Sequence, residues 1–212
     1  MRVYALVGGI AAGKSTVARR LARRHGGTWI EADRIGHRVL DLQRVRRRLL
    51  DAFGPDIVGR AGSIDRRRLG ARVFGHPARL RRLNAIVHPE IARRVEARLR
   101  ALQRRGARFV LLDAALFYEF ELGWPVDGVL AVVAPRALRR SRLLGRPGMS
   151  AAAAAARLAS QPQLNGWIRR ADVRVVNDGD RRQLDEKLEV AWRELWRRRR
   201  PRRGRTGRGT ER

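Results

Sequence analysis

Short apolar runs alternate along this chain with longer stretches whose apolar residues recur at helical spacing. The apolar runs predict strands over Arg2–Val7, Thr28–Ala32, Arg108–Leu112, Asp127–Val133 and Val173–Val176. Alternation of strands and helices is typical of a parallel sheet that is covered by helices on both faces. We therefore expect an α/β fold with a parallel five-stranded sheet.

Two intervals are too long for a single helical crossover. Residues 34–105 have a helical pattern that is interrupted at 53–55, 59–62 and 75–77, which predicts a helical insertion. Residues 136–170 are also helical, with a break at 145–148 and Ser150 as a plausible N-cap, which predicts a lid segment. The predicted core then consists of residues 1–33, 106–135 and 171–196.

Composition narrows the class of protein. The chain has 212 residues, of which 44% are hydrophobic, and it contains no cysteine, which excludes disulfides and cysteine-based zinc sites. We find no run near the roughly 20 apolar residues of a membrane span and no signal-peptide pattern, so we expect a cytoplasmic protein without membrane contact. Four scattered histidines suggest no metal cluster, so any metal is expected to be Mg²⁺ carried with a nucleotide.

The net charge of +29 has two interpretations. Residues 197–212, the tail, are rich in arginine and glycine and contribute +8 of this charge, and we expect them to be disordered. The other arginines are spread over every predicted helix, which fits either a solvated surface or a surface for RNA or DNA. We expect nucleic acid to bind only non-specifically, through the tail.

A glycine-rich turn follows the first predicted strand. It reads Gly8-x4-Gly13-Lys14-Ser15 and fills the phosphate-loop pattern at every defined position. Glycines let backbone N–H groups point inward as an anion site, Lys14 reaches the β- and γ-phosphates, and the Ser15 hydroxyl ligates Mg²⁺. Lys14 is one of only two lysines in the chain, which suggests that this position needs a compact ammonium group.

Two aspartates follow predicted strands, where parallel sheets place their ligand crevice. Asp113 either orients Mg²⁺, through water or through Ser15, or caps the turn that follows it. Asp33 either faces the phosphates or forms the N-cap of a helix that starts at Arg34. The residue pattern alone leaves both alternatives open.

Arginines in the lid segment are the third group of candidates. Arg142 and Arg146 are four residues apart and are predicted to share a helix face, and Arg157 and Gln161 repeat this spacing. Arginines that a lid brings over a nucleotide suit phosphoryl transfer, because this reaction depends on neutralising phosphate charge. In a chain so rich in arginine, the alternative is solvated surface side chains, which the spacing alone favours.

Taken together, these segments resemble the dephospho-CoA kinase family of the P-loop kinase superfamily, and the resemblance runs from Arg2 to Leu195. The matching segments are "GGIAAGKST", "EAD", "IDRRRLGARVFGHPARLRRLNAIVHPEI", "LLDAALFYE", "RLLGR", "RLASQ" and "ADVRVVNDG". The phosphate loop is generic, whereas the segment from Leu80 to Pro89 is specific to this family. Structurally, His88-Pro89 could also be only a helix N-cap followed by proline.

The resemblance implies that the chain transfers a phosphoryl group from ATP, with Mg²⁺, to the ribose 3′-hydroxyl of dephospho-CoA. Asp33 would be the base, Asp113 and Ser15 would support Mg²⁺, and Lys14, Arg142 and Arg146 would act on the phosphates. His88, Arg157, Gln161 and Asp33 would contact the substrate. The residues implied for ATP are Gly8, Gly9, Ala11, Ala12, Gly13, Lys14, Ser15 and Thr16.

Three positions depart from the usual family pattern. The usual Gly-Ser of the loop is Ala11-Ala12 here, which adds a Cβ close to the phosphate. A common lysine is replaced by Trp167, which puts a minor nucleotide or lid contact in doubt, and a common proline is replaced by Ala115. The tail has no counterpart that we can interpret.

Two other functions stay open on the sequence. A different small P-loop kinase, for nucleoside monophosphates or shikimate, would share the core and the lid but would not explain the helical insertion or the segment from Leu80 to Pro89. A nucleotide-regulated RNA-binding protein would use the positive charge as its interface. A GTPase is disfavoured, because Asn177-Asp178-Gly179-Asp180 lacks the lysine of the guanine signature.

Overall fold

A parallel five-stranded sheet forms the centre of the computed structural model, which describes residues 1–59, 61–73, 75–113, 125–161 and 164–198. The strand order is β2-β3-β1-β4-β5, and every neighbouring pair is parallel. The strands are β1 (Arg2–Val7), β2 (Thr28–Glu31), β3 (Phe109–Asp113), β4 (Gly128–Val133) and β5 (Val173–Val176). The predicted fold class and all five strands are confirmed, with shifts of one residue at the ends of three of them.

Helices cover both faces of the sheet because side chains alternate across each strand. In β1, Tyr4 and Leu6 pack with α1 (Lys14–His25) and α9 (Arg181–Arg197), while Val3, Ala5 and Val7 face the other hydrophobic cluster. All five of these β1 side chains are fully buried. This two-sided burial holds the end of β1, and hence the turn after it, in a fixed place.

The helical insertion follows β2 and packs on the face of the sheet opposite α1. It contains α2 (Ala32–Val39), α3 (Gln43–Phe53), a 3₁₀ turn (Pro55–Ile57), α4 (Arg66–Val73) and α5 (Pro77–Arg104). Helix ends lie near the three predicted breaks, but the structure adds a break at residues 40–42 between α2 and α3, which the sequence analysis does not predict. The first helix, however, begins at Ala32 rather than Arg34, because β2 ends one residue earlier than expected.

The longest helix, α5, contradicts one interpretation of the sequence. Its N-cap is His76 and its first residue is Pro77, whereas Pro89 lies inside the helix, so His88-Pro89 is not a helix N-terminus. Pro89 lacks an N–H and therefore cannot donate to the carbonyl four residues earlier, yet the helix continues on both sides. Buried residues on the face of α5 that packs on the sheet hold it together, Val87, Ile91, Val95 and Leu99 among them.

The lid segment follows β4 and consists of α6 (Arg136–Leu144), α7 (Ala151–Ala159) and α8 (Leu164–Arg170). Ser150 is the N-cap of α7, as predicted, and its Oγ accepts a hydrogen bond of 3.1 Å from the backbone N–H of Ala153.

The last described helix, α9, includes Arg197, so the predicted tail starts inside this helix. Ala115 and residues 199–212 lie outside the described residues. None of the described helices is long and apolar enough to cross a membrane.

A buried carboxylate joins two helices of the insertion. Glu90 on α5 is 2% exposed, and its carboxylate accepts hydrogen bonds from Arg44 on α3 and from Arg93 and Arg94 on α5. Burial alone raises the pKa of Glu90, but the three guanidinium groups outweigh it, and the pKa lies below its usual value. The charged form of Glu90 is therefore favoured in the folded state.

We expect Glu90→Gln to lower the free energy of unfolding by about 1–3 kcal/mol at pH 7, because buried charged hydrogen bonds are lost. Because the folded pKa is depressed, this contribution is present above the unfolded pKa of about 4.3 and disappears as the pH falls through the folded value. Urea unfolding at several pH values measures the difference. Glu186→Gln, which removes an exposed partner of Arg182, is the control and should change little. A difference that stays constant down to pH 2.5 would contradict this assignment.

Candidate functional site

The phosphate loop, Gly8–Ser15, connects β1 to α1, and two of its glycines are required by close contacts. Gly8 has a φ of 152°, and a Cβ there would overlap the backbone oxygen of Val132. Gly13 has a φ of 97°, forms the N-cap of α1, and would collide with Asn177 if it carried a Cβ. Since α1 begins at Lys14, its N-terminal N–H groups point at the loop, as an anion site requires.

Ala11 has left-handed backbone conformation, with a φ of 59°, and no other described non-glycine residue has a positive φ. A Cβ makes this conformation costly, by about 1–2 kcal/mol. The next residue, Ala12, is 1% exposed, and its carbonyl oxygen accepts a hydrogen bond of 2.8 Å from Asn177 Nδ2. The loop is thus held in place by its neighbours although one of its residues is strained.

The phosphate loop and the end of β3 meet at Lys14, Ser15 and Asp113. Ser15 Oγ donates to Asp113 Oδ2 over 2.9 Å, and Lys14 Nζ lies 3.9 Å from Asp113 Oδ1 and donates to the carbonyl oxygen of Gly8 over 3.1 Å. Asp113 is 6% exposed. Its burial raises the pKa of the carboxyl group above the usual value, against the opposing effects of Lys14 and Ser15.

A cleft of about 730 Å³ opens beside the loop. Its lining brings Lys14 and Ser15 together with Asp33, Arg142 and Arg146, which lie far apart in the sequence. Most of its charged residues are cations, which favours an anionic ligand. The remaining lining residues are Gly9, Ile10, Ala11, Gly13, Thr16, Arg19, Arg20, Asn177, Gly179, Asp180, Arg181 and Leu184.

A second cleft, of about 650 Å³, lies between α1 and α9. It shares Thr16, Arg19, Arg20 and Arg181 with the first cleft but lacks Lys14 and Asp33. Two of its arginines are already paired with acids across the helices, Arg20 with Asp185 and Arg24 with Glu189. The groups suited to phosphate chemistry therefore lie in the first cleft.

Asp33 lies in the first cleft, in the first turn of α2, and is exposed. The N-cap of α2 is Glu31, which makes no side-chain capping hydrogen bond. The interpretation of Asp33 as the N-cap is therefore wrong, because the helix starts earlier than the sequence suggests. Its carboxylate is left facing the cleft.

Arg142 contacts the loop directly. Its Nη1 donates to the carbonyl oxygens of Ala11 and Ala12 over 3.3 and 3.4 Å, and its Nη2 donates to the carbonyl oxygen of Asn177 over 3.1 Å. Arg146 does not share a helix face with Arg142, because α6 ends at Leu144 and Gly145 is its C-cap. It reaches the same cleft from the turn after the helix.

The remaining predicted site residues fall in different places. Gln161 Oε1 accepts a hydrogen bond of 2.8 Å from the backbone N–H of Ile10, so this side chain touches the phosphate loop. Arg157 is exposed on α7, and His88 is half-buried inside α5; neither lines the cleft. Trp167 is 7% exposed in α8, where it belongs to the core.

Asn177 is a residue of the site that the sequence analysis missed. It follows β5 directly, is 6% exposed, and bonds both Ala12 and Arg142, thereby connecting the loop to the lid segment. Its position after a parallel strand is the same signal that identified Asp33 and Asp113. In the sequence it lies in the family segment "ADVRVVNDG" and in an incomplete guanine signature, without a role of its own.

The family model described as dephospho-CoA kinase (CoaE) matches residues 2–183. This chain belongs to the dephospho-CoA kinase family. Dephospho-CoA kinase from Deinococcus radiodurans is 40% identical over 194 residues, which cover 92% of each chain. The enzyme from Geobacter sulfurreducens is 36% identical over 193 residues, covering 91% of this chain and 98% of the relative.

Solved structures agree with this family. The structure titled TT1252 from Thermus thermophilus has a TM-score of 0.75 and 32% identity, covering 92% of this chain and 97% of that one. Dephospho-CoA kinase from Campylobacter jejuni has a TM-score of 0.56 and 26% identity over the same fractions. Shikimate kinase from Bacteroides thetaiotaomicron, at 14% identity and a TM-score of 0.51, covers 92% of this chain and 98% of that one and shares the fold alone. The predicted P-loop kinase fold is therefore confirmed.

We expect Ala11→Gly to raise the free energy of unfolding by up to about 1 kcal/mol, because the relief of left-handed strain exceeds the added flexibility of the unfolded chain. Ala12→Gly is the matched control and should lower it by about 1 kcal/mol, since it removes a buried methyl group without relieving strain. Urea denaturation of both variants measures the difference. Equal destabilisation by the two changes would show that Ala11 is not strained.

Proposed function

We propose that this protein transfers the γ-phosphoryl group of ATP to the ribose 3′-hydroxyl of dephospho-CoA, giving coenzyme A and ADP. The observation that carries the proposal is the single cleft in which the phosphate loop, the exposed carboxylate of Asp33 and the cations of the lid segment meet. Membership of the dephospho-CoA kinase family supports this acceptor. The reaction fits a cytoplasmic enzyme with a small-molecule substrate.

The loop supplies the nucleotide site in this proposal. Gly8, Gly9 and Ala11–Thr16 surround the phosphates with backbone N–H groups, and Lys14 neutralises charge on the β- and γ-phosphates. In the structure Lys14 Nζ is held by the carbonyl of Gly8 and by Asp113, so the ammonium group is aimed before a nucleotide binds. Arg142 and Arg146 add positive charge from the side of the lid segment.

Mg²⁺ fits the donors beside the loop. The Ser15 hydroxyl and the Asp113 carboxylate are hard oxygen ligands that lie within hydrogen-bond distance of each other. In our proposal Ser15 holds the ion directly and Asp113 holds it through water. When bound, the ion neutralises the charge that develops on the phosphate oxygens. A cation here also favours the ionised form of Asp113, which burial alone disfavours.

Asp33 is the proposed general base. It takes the proton of the 3′-hydroxyl while that oxygen forms its bond to the γ-phosphorus and the bond from the γ-phosphorus to the ADP oxygen breaks. Its place in the first turn of α2, across the cleft from the loop, supports this role. Asp33 follows the end of β2 by two residues, so the edge of the sheet would position both the base and the nucleotide site.

The insertion and the lid segment would complete the site. We assign dephospho-CoA binding to residues 34–105, including His88, and lid closure over the nucleotide to residues 136–170, with Arg157 and Gln161 as substrate contacts on closure. In the structure Gln161 already bonds Ile10 of the loop, which supports a role at the border between the lid and the nucleotide. The core would comprise residues 1–33, 106–135 and 171–196.

The acceptor is tested by measuring ADP release with dephospho-CoA, AMP, shikimate or RNA as the second component. We expect turnover with dephospho-CoA alone, and Lys14→Ala should reduce it by more than about tenfold, because a phosphate clamp contributes several kcal/mol to the transition state. Circular dichroism checks that Lys14→Ala stays folded. Preferred turnover of AMP or shikimate would replace our proposal with another small P-loop kinase, and RNA-dependent release would favour a nucleic-acid-linked function.

We expect Asp33→Asn to lower kcat with dephospho-CoA by about 10²- to 10⁴-fold, the usual range for the loss of a general base. Slow hydrolysis of ATP by water should fall much less, because water does not require the same aligned carboxylate. Glu186→Gln is the control, since Glu186 is an exposed carboxylate of α9 outside the cleft. Near wild-type turnover by folded Asp33→Asn would rule out this base.

A further inference from the structure

Arg139 is half-buried and packs its guanidinium group directly against the phosphate loop. Its Nε and Nη1 atoms are buried, and neither has a hydrogen-bond partner among the described residues. A Cβ on Gly9 would overlap Arg139 Nη1 and would lie 2.7 Å from Leu164 Cδ2. The guanidinium group is therefore packed beside the second glycine of the loop, close to the first residue of α8.

The neighbouring arginine on the same helix face behaves differently. Arg142 follows Arg139 by three residues on α6, so both side chains point toward the loop. Arg142 donates hydrogen bonds to the carbonyl oxygens of Ala11, Ala12 and Asn177. Buried donors in native proteins are nearly always paired, so two unpaired ones on Arg139 require an explanation.

The charge of Arg139 is also not neutralised within the described residues, where no acidic side chain forms an ion pair with it. Burial lowers the pKa of its guanidinium group, and nearby Arg136 lowers it further, yet an arginine stays charged at neutral pH. A cation in such surroundings interacts strongly with any anion brought close to it, because the low local dielectric screens it weakly.

We propose that Arg139 is a positioning residue for nucleotide phosphates. From its place beside Gly9, its positive charge strengthens the binding of di- and triphosphates in the loop. The proposal rests on the proposed function only in that the loop binds a nucleotide. Arg142 holds residues 11 and 12 of the loop through hydrogen bonds to their carbonyl oxygens. Arg139 supplies, beside Gly9, a positive charge that no acid among the described residues neutralises.

The chemistry of the ligand gives this role a distinct signature. The β- and γ-phosphates are the ones that a phosphate loop holds beside its lysine, whereas AMP carries neither. Loss of the Arg139 charge should therefore weaken ATP strongly, ADP less, and AMP least. A residue that only supports the fold of the loop would change all three affinities by the same factor.

The test is calorimetric titration of ATP, ADP and AMP into the full chain without an acceptor. Arg139→Met removes the charge and keeps the length of the side chain, and Arg140→Met is the matched control on the exposed neighbour. We expect Arg139→Met to weaken ATP about tenfold or more, the size of a lost charge-assisted interaction, and AMP less than about twofold. Arg140→Met should change neither affinity.

Stability without nucleotide provides the second measurement. Because the two buried donors of Arg139 have no partner among the described residues, Arg139→Met should melt at or above the wild-type temperature. Arg139→Gln is a second variant that removes the charge with a polar side chain. Equal weakening of ATP and AMP, or none, overturns the proposal. So does a lower melting temperature in both variants, since it would show that Arg139 is bonded within the protein.

These outcomes are separate from those for the proposed function. If dephospho-CoA is not phosphorylated but the ratio of ATP to AMP affinity still depends on Arg139, the acceptor assignment fails and the inference stands. If dephospho-CoA is phosphorylated and that ratio does not depend on Arg139, the inference fails and the proposed function stands.

Discussion

All five strands run in the same direction, and this constraint determines where the chemistry of the protein lies. Parallel strands bring their carboxyl ends to a single edge of the sheet. The phosphate loop follows β1, Asp113 ends β3, and Asn177 follows β5, so three separate parts of the chain meet there. The register of β1 and β3, in which Leu6 pairs with Asp113, then brings Asp113 beside Lys14 and Ser15.

Electrostatic contrast distinguishes this edge from the rest of the molecule. On the surface, several arginines pair with acids on the same helix, as Arg100 does on α5 and Arg182 does on α9. At the cleft, Arg20 pairs with Asp185, but Lys14 and Arg142 donate to backbone carbonyls. A cation that is bonded by dipoles keeps its net charge, and that charge remains available to an anionic ligand. Asp113 is the exception, and it faces the lysine of the loop.

Much of this architecture could be predicted from the sequence, because strand runs, glycine-rich turns and the N-cap at Ser150 are local signals. The phosphate loop carries its own signature, and the strand-end rule leads to Asp33, which lines the cleft, and to Asp113, which bonds Ser15. The failures have a common cause in tertiary packing: Pro89 lies within α5 because buried side chains outweigh its missing hydrogen bond. Neither the burial of Arg139 nor the bonds of Asn177 could be predicted, because both depend on how the lid segment packs on the loop.

Lys14 is held between the carbonyl of Gly8 and Asp113 in a chain whose other cationic side chains, apart from Lys187, are arginine or histidine. Arginine guanidinium groups do not react with reagents that modify amines at neutral pH, whereas ammonium groups do after losing a proton. The chain therefore offers such reagents two side chains and its α-amino group. Lys187 is 44% exposed and bonds Asp178, while Lys14 is 12% exposed in the loop. Lys187 should therefore react before Lys14, and the slower labelling of Lys14, followed as the second of two lysine signals, reports on the phosphate loop without any engineered probe.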